Sequence, residues 1–211
     1  NTLTIKAAAD VTPDESTFNV DFSKVSSAVQ DGAVTASSVS TGASATDATI
    51  DNSGSNSASI SNLKAHFTAP GQSVTYTLNV VNAGAYVAYL KDLIFANAEH
   101  ATSGETYKHC YAATTDSNGD DIPAAQQATP SLVTQACNGI DISVSIGTAS
   151  NITPTSASKS LGNQALQANG GYVQATITIS YANNAAYVDG PMEVEFGDIT
   201  FTSSSNPAGQ E

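Results

Sequence analysis

At 211 residues the chain is long enough to bury a real core, as one large all-β domain or at most two small ones. Charged residues make up 12%, and the formal net charge is −13, with lysine the only basic type besides three histidines. A surface of that sign repels phosphate backbones and anionic membranes, so no nucleic-acid partner is expected. No run approaches the ~18 consecutive apolar residues of a spanning helix, so no membrane insertion of the mature form is expected.

The first eleven residues read NTLTIKAAADV. Leu3, Ile5, Ala7, Ala9 and Val11 alternate with Thr2, Thr4, Lys6, Ala8 and Asp10, which is the period of a strand with one apolar face. The sole methionine is Met192, and initiator methionine is not readily trimmed before asparagine. The start is therefore read as a proteolytic end, most simply one left by a secretory signal peptide, and secretion is expected. Two destinations are open to the strand. It folds back as an edge of its own sheet, or it adds to the open sheet of a neighbour, gaining main-chain hydrogen bonds and side-chain pockets. Alternation alone favours the first, so residues 1–11 are set apart as a protruding N-terminal strand, a donor strand if the second holds. Residues 12–202 are read as a single β-sandwich domain and residues 203–211 as a flexible tail.

A turn containing Pro13 leads to a second alternating run, Thr17–Phe22. The stretch 23–57 is dense in Ser, Ala, Thr and Gly, and reads as loop with one edge strand around Ala48–Ile50. Strong alternation returns at Ala58–Thr68, Ser73–Val80 and Tyr86–Phe95. Pro70-Gly71 and Asn82-Ala83-Gly84 supply the backbone angles of tight reversals, so these three runs are predicted to form a meander. Further strands are predicted at Ile140–Ile146, Tyr172–Ala182 and Met192–Thr202, with a helical turn near Ala124–Gln127 and no long helix. Nine or ten strands separated by turn signals predict an all-β fold, an antiparallel β-sandwich of jelly-roll type.

Cys110 and Cys137 have no third cysteine to compete with, and in an oxidising compartment they are expected to pair. No phosphate-binding glycine loop, no HExxH and no GxSxG occurs. His66, His100 and His109 lack zinc-ligand spacing, and His109 beside Cys110 is read as a solvated neighbour of a structural disulfide. No enzyme is expected. Asp116, Asn118, Asp120 and Asp121 place hard oxygen ligands in a turn with Gly119, so calcium is the one cofactor considered. The spacing departs from a calcium loop, with glycine fourth instead of sixth and Gln127 where a glutamate belongs twelfth. An isopeptide bond from Lys24, Lys64 or Lys91 would need a buried carboxylate and asparagine alongside, and rim lysines are the plainer reading. Asn151-Ile152-Thr153 is a glycosylation sequon suited to an exposed loop.

The stretch Ala69–Gly84 (APGQSVTYTLNVVNAG), with the short strand Phe18–Phe22 and the closing Glu193–Thr200, resembles the camelysin/TasA-like secreted fibre-forming proteins, archaeal bundling pili among them. The resemblance implies a jelly-roll subunit that polymerises through N-terminal donor strands into fibres of a biofilm matrix or of bundled cells. Carried over, the donor residues are Leu3, Ile5, Ala7, Ala9 and Val11, and the partner is a second copy in a head-to-tail homopolymer. The expectation is thus an extracellular, cell-surface filament subunit of a prokaryote. The other reading is a monomeric secreted adhesin or carbohydrate-binding module, for which the 8 tyrosines and 6 phenylalanines would have to form a concave patch.

Overall fold

The computed structural model describes residues 20–24, 31–54, 56–101 and 106–206. The predicted donor strand, with Leu3, Ile5, Ala7, Ala9 and Val11, lies outside the described residues, as does the end of the predicted tail. Ladders between the described strands are all antiparallel.

The early strands are β1 (Val20–Lys24), β2 (Gly32–Val34), β3 (Ser38–Val39), β4 (Ser44–Ala45) and β5 (Ala48–Asp51). Next come β6 (Ser57–Ser61), β7 (Leu63–Phe67), β8 (Ser73–Asn82), β9 (Ala88–Phe95) and β10 (Lys108–Ala112). A 3-10 turn (Ala124–Gln126) and the helix α1 (Pro130–Cys137) interrupt the described strands. The chain then continues through β11 (Ile140–Ile146), β12 (Ala149–Ile152), β13 (Lys159–Leu166), β14 (Gly171–Tyr181), β15 (Met192–Phe196) and β16 (Ile199–Ser204).

One layer has the order β1-β8-β14-β11-β12, with β3 sharing the β1 side of β8. The other layer consists of two sheets, β13-β9-β16-β6-β5-β2 and β10-β15-β7-β4. These two continue each other across a seam. Phe196 lies opposite Leu63 and Ile199 opposite Ile60, so the register does not slip although the ladder stops between them. The neighbouring strands behave alike, with Ala45 opposite Ala65 and Ile50 opposite Ile60. At the seam Asn62 takes a φ of 56°, a left-handed value that asparagine tolerates better than most residues. Its Nδ2 donates to Asp47 O at 2.8 Å. Because both chains change inward phase there, Ile60 and Leu63, like Phe196 and Ile199, all remain buried.

Alternate residues of both layers meet in one core. Phe22 packs edge-on against Phe201 at 4.8 Å between ring centroids, and Phe67 meets Tyr181 at 5.9 Å. Tyr76 crosses from the first layer to the seam, where its hydroxyl donates to Thr46 O at 2.7 Å. The result is an antiparallel β-sandwich, as the sequence predicts.

Several local expectations need correction. The polar stretch 23–57 is not loop with one edge strand; it carries β2 to β5, and β5 lies inside its sheet between β2 and β6. The predicted meander is absent, since β7, β8 and β9 belong to three different sheets. The Pro70-Gly71 turn instead carries the chain from one layer to the other, with Gln72 Oε1 accepting from Thr68 N and Ala69 N. The tail begins later than expected, because Ser203 and Ser204 belong to β16.

Candidate assembly groove

Among the described strands, β11 is unpaired along half of one side. Its side toward β14 is paired from Ile140 to Ile146, whereas β12 meets it only at Val144 and Ile146. Main-chain direction alternates along a strand. Gly139 O accepts from Ala182 N on the β14 side, and Ile140 O accepts from Lys108 Nζ on the other. The main-chain groups of Ile142 therefore face away from β14, on the side where no described strand pairs with them. Their side chains follow the opposite logic: Ile140 and Ile142 are buried in the core, and Asp141 is exposed on the outer face.

Across from this edge runs β10, which among the described strands pairs with β15 alone and so lies at the edge of its sheet. Between the two edges lies a groove of about 530 Å³, lined by Tyr107, Lys108, Ile140, Ile142, Pro154 and Phe196 among others. The two edges are braced against each other beside the groove. The predicted disulfide is present, joining Cys110 of β10 to Cys137, the last residue of α1, with 6.0 Å between Cα atoms. Lys108 Nζ also donates to Cys137 O at 2.7 Å. Helix α1 itself is anchored at its first turn by Asp189, whose carboxylate accepts from Thr129 N at 2.7 Å and from the Thr129 hydroxyl. Those bonds hold the Asp189 carboxyl below the ordinary range.

Other sheet edges are blunted. Asn52 caps β1 like a one-residue strand: Phe22 N donates to its Oδ1 at 2.9 Å, and its Nδ2 donates to Phe22 O at 3.0 Å. β13 is bulged, with Gly162 and Asn163 at positive φ and a shift of register against β9. β12 carries Asn151 at a φ of 53°, and β2 and β4 are only three and two residues long. Short, bulged or capped edges resist the addition of a strand.

A second polar constellation covers the outer face of β10, β15 and β7. Register sets His109 beside Glu195 and Glu195 beside Lys64, and likewise Tyr111 beside Glu193 and Glu193 beside His66. His100 reaches in from the loop after β9, with Nδ1 at 2.6 Å from Glu195 Oε1, while Lys64 Nζ lies 3.3 Å from Oε2. The His109 ring stacks on Tyr111 at 5.4 Å and stands 5.9 Å from His100. Burial alone would raise the Glu195 carboxyl, but the hydrogen bonds from His100 and Lys64 outweigh it and the net shift is downward. Burial pushes His66 down, against the pull of Glu193 and Asp116. Tyr111 is raised by burial and by its hydrogen bond to Glu193. Sequence spacing does not suggest this grouping: the sheet register brings His66 and His109 to one face, and the loop after β9 adds His100.

The remaining candidates stand apart. Asp116 Oδ1 accepts from Asn118 N at 2.8 Å and Asp120 N at 3.0 Å, so this carboxylate closes its own turn. The same two bonds, led by Asp120, lower the Asp116 carboxyl. Asp116, Asn118, Asp120 and Asp121 are all exposed, and among the described residues no group of three or more His, Cys, Asp or Glu could hold a metal ion. Asn151 is exposed on β12, so its sequon is accessible. Of the isopeptide candidates, Lys64 is paired with Glu195. The described phenylalanines are all buried, and the well-exposed tyrosines are Tyr86, Tyr172 and Tyr187.

No protein-family model, no curated protein and no solved structure matches the chain. Its class is therefore defined by its own architecture: an all-β sandwich braced by one disulfide, with a half-open strand beside a groove.

Proposed function

We propose that the chain is the structural subunit of an extracellular filament on a prokaryotic cell, polymerising by donor-strand exchange and serving biofilm matrix or cell adhesion. The observation that carries this reading is the groove beside the unpaired half of β11, at a place where the other described edges are blunted. An extended segment entering there would hydrogen-bond to the free side of Ile142 and lay apolar side chains toward Phe196 and Tyr107. The segment of this chain with the matching pattern is the N-terminal one, through Leu3, Ile5, Ala7, Ala9 and Val11. Donor and acceptor surfaces differ, so the contact is heterologous and repeats without closing, which makes a fibre. A jelly-roll-type subunit, secreted and without a cofactor, goes with this reading.

The test is a deletion of residues 1–10 combined with a photo-crosslinker at position 5 of the full chain. Deletion is expected to leave folded monomers in negative-stain images, and crosslinks are expected between position 5 of one copy and residues 106–108 or 140–142 of another. Filaments from the deleted chain, or crosslinks confined within single copies, would sink the proposal; the second outcome would mean that the strand closes its own sheet.

A further inference from the structure

We propose that Lys6 of one copy pairs with Asp141 of the next, and that this contact sets the register of the inserted strand. The proposal rests on the strand-exchange reading above.

Residues directly opposite each other in a β-ladder point to the same face. On β11, Ile140 and Ile142 turn into the core and Asp141 turns out. An incoming strand that buries Leu3, Ile5 and Ala7 must therefore set an even-numbered residue opposite Asp141, because a slip of one would expose its whole apolar set. Slips of two remain open on apolar pattern alone. The choice lies between Thr2, Thr4, Lys6, Ala8 and Asp10.

Charge separates these five. Lys6 is the only basic side chain before Lys24 in a chain of net charge −13. Asp141 is exposed, its neighbour on β14 is Ser180, and the salt bridges among the described residues do not include it. Lys6 opposite Asp141 joins two unlike charges at the rim of the contact. Asp10 in that place would oppose two like charges, and the other three residues gain nothing. Between subunits that otherwise repel, a rim pair of this kind acts on encounter and register more than on depth of binding. Lys108, the other cation at the groove, is engaged with the carbonyls of Cys137 and Ile140.

The experiment uses the full chain with Lys6→Asp, with Asp141→Lys, and with both. Each single reversal is expected to raise the lowest concentration at which filaments sediment by about five- to tenfold. The double variant is expected to assemble like the original. So is an equimolar mixture of the two single variants, because each donor then meets an opposite charge on the other's acceptor and an alternating copolymer forms. Asp141 is exposed, so the melting temperature of the monomer should not move, which controls for misfolding. Single variants that assemble normally, or a mixture no better than its components, would overturn the pairing. If strand exchange itself is wrong, the original chain gives no filaments, or filaments persist after deletion of residues 1–10, or position-5 crosslinks stay within single copies, whatever the charges do.

Discussion

His66 and Glu195 occupy the outward face of β7 and β15, and both are shifted down from their ordinary values of 6.5 and 4.5. A lowered folded value means that the folded state binds fewer protons than the unfolded chain. The stabilisation is therefore complete above the unfolded value and is lost as pH falls through the folded one. For His66 the loss begins below about 6.5, because the unfolded chain takes up a proton that burial denies the folded one. For Glu195 it begins below about 4.5, where protonation removes the partner of Lys64 and His100. Melting temperature is expected to be level from pH 8 to 7 and to decline in two overlapping stages below that. His66→Gln should flatten the upper stage, and Glu195→Gln the lower. A pH profile unchanged by either substitution would contradict this assignment. None of this was legible from His66 or Glu195 singly, since each needed the other's strand as neighbour. By contrast, the inward direction of Tyr76 followed from alternation in Ser73–Val80, and burial pushes its hydroxyl up to about 12.

At the scale of elements, legibility followed side-chain size. β11 lies where Ile140–Ile146 alternates, and β8 and β14 nearly so, because large apolar residues mark every second place. β5 was legible around Ala48–Ile50, though as an edge strand, whereas β2 to β4 escaped because their small residues bury little area and their place is fixed by backbone pairing. The run Ala58–Thr68 was read as one strand although its apolar residues shift from even to odd between Ile60 and Leu63. The same shift separates Phe196 from Ile199, and the two shifts together mark the seam. Helix α1 was missed because eight residues give too few turns for a period, and its start depends on Asp189, distant in sequence. Asn52 illustrates the same limit: its polar side chain reads as loop, yet it completes the edge of β1. Asn52→Ala is expected to cost about 1–3 kcal/mol, since Phe22 N and O lose their partners together. It should also leave an edge that pairs indiscriminately. Urea unfolding and light scattering of the variant would measure both effects, and an unchanged midpoint would remove Asn52 from its role as a cap.

For the whole molecule, the two layers are held in register by a shared core, but the groove lies between edges that no ladder among the described residues joins. Its width rests on the Cys110–Cys137 bond, on Lys108 and on the short path from α1 into β11. The disulfide thus has two separable effects. As a crosslink with a sequence separation of 27 it should stabilise the fold by about 3–4 kcal/mol on the loop-entropy account. As a brace it should hold the β10 edge at the distance an inserted strand requires. Replacing both cysteines by serine is expected to lower the melting temperature by about 10 °C and to leave the far-ultraviolet circular dichroism unchanged, because the strands and their core do not depend on that bond. If the chain assembles by strand exchange as proposed, assembly should suffer far more than stability, and the variant is expected to remain monomeric at concentrations that give filaments of the original, even well below its melting temperature. A less stable variant that polymerised as readily as the original would leave the disulfide a staple of the fold and place the determinant of groove width elsewhere, with Lys108→Met the next substitution to try.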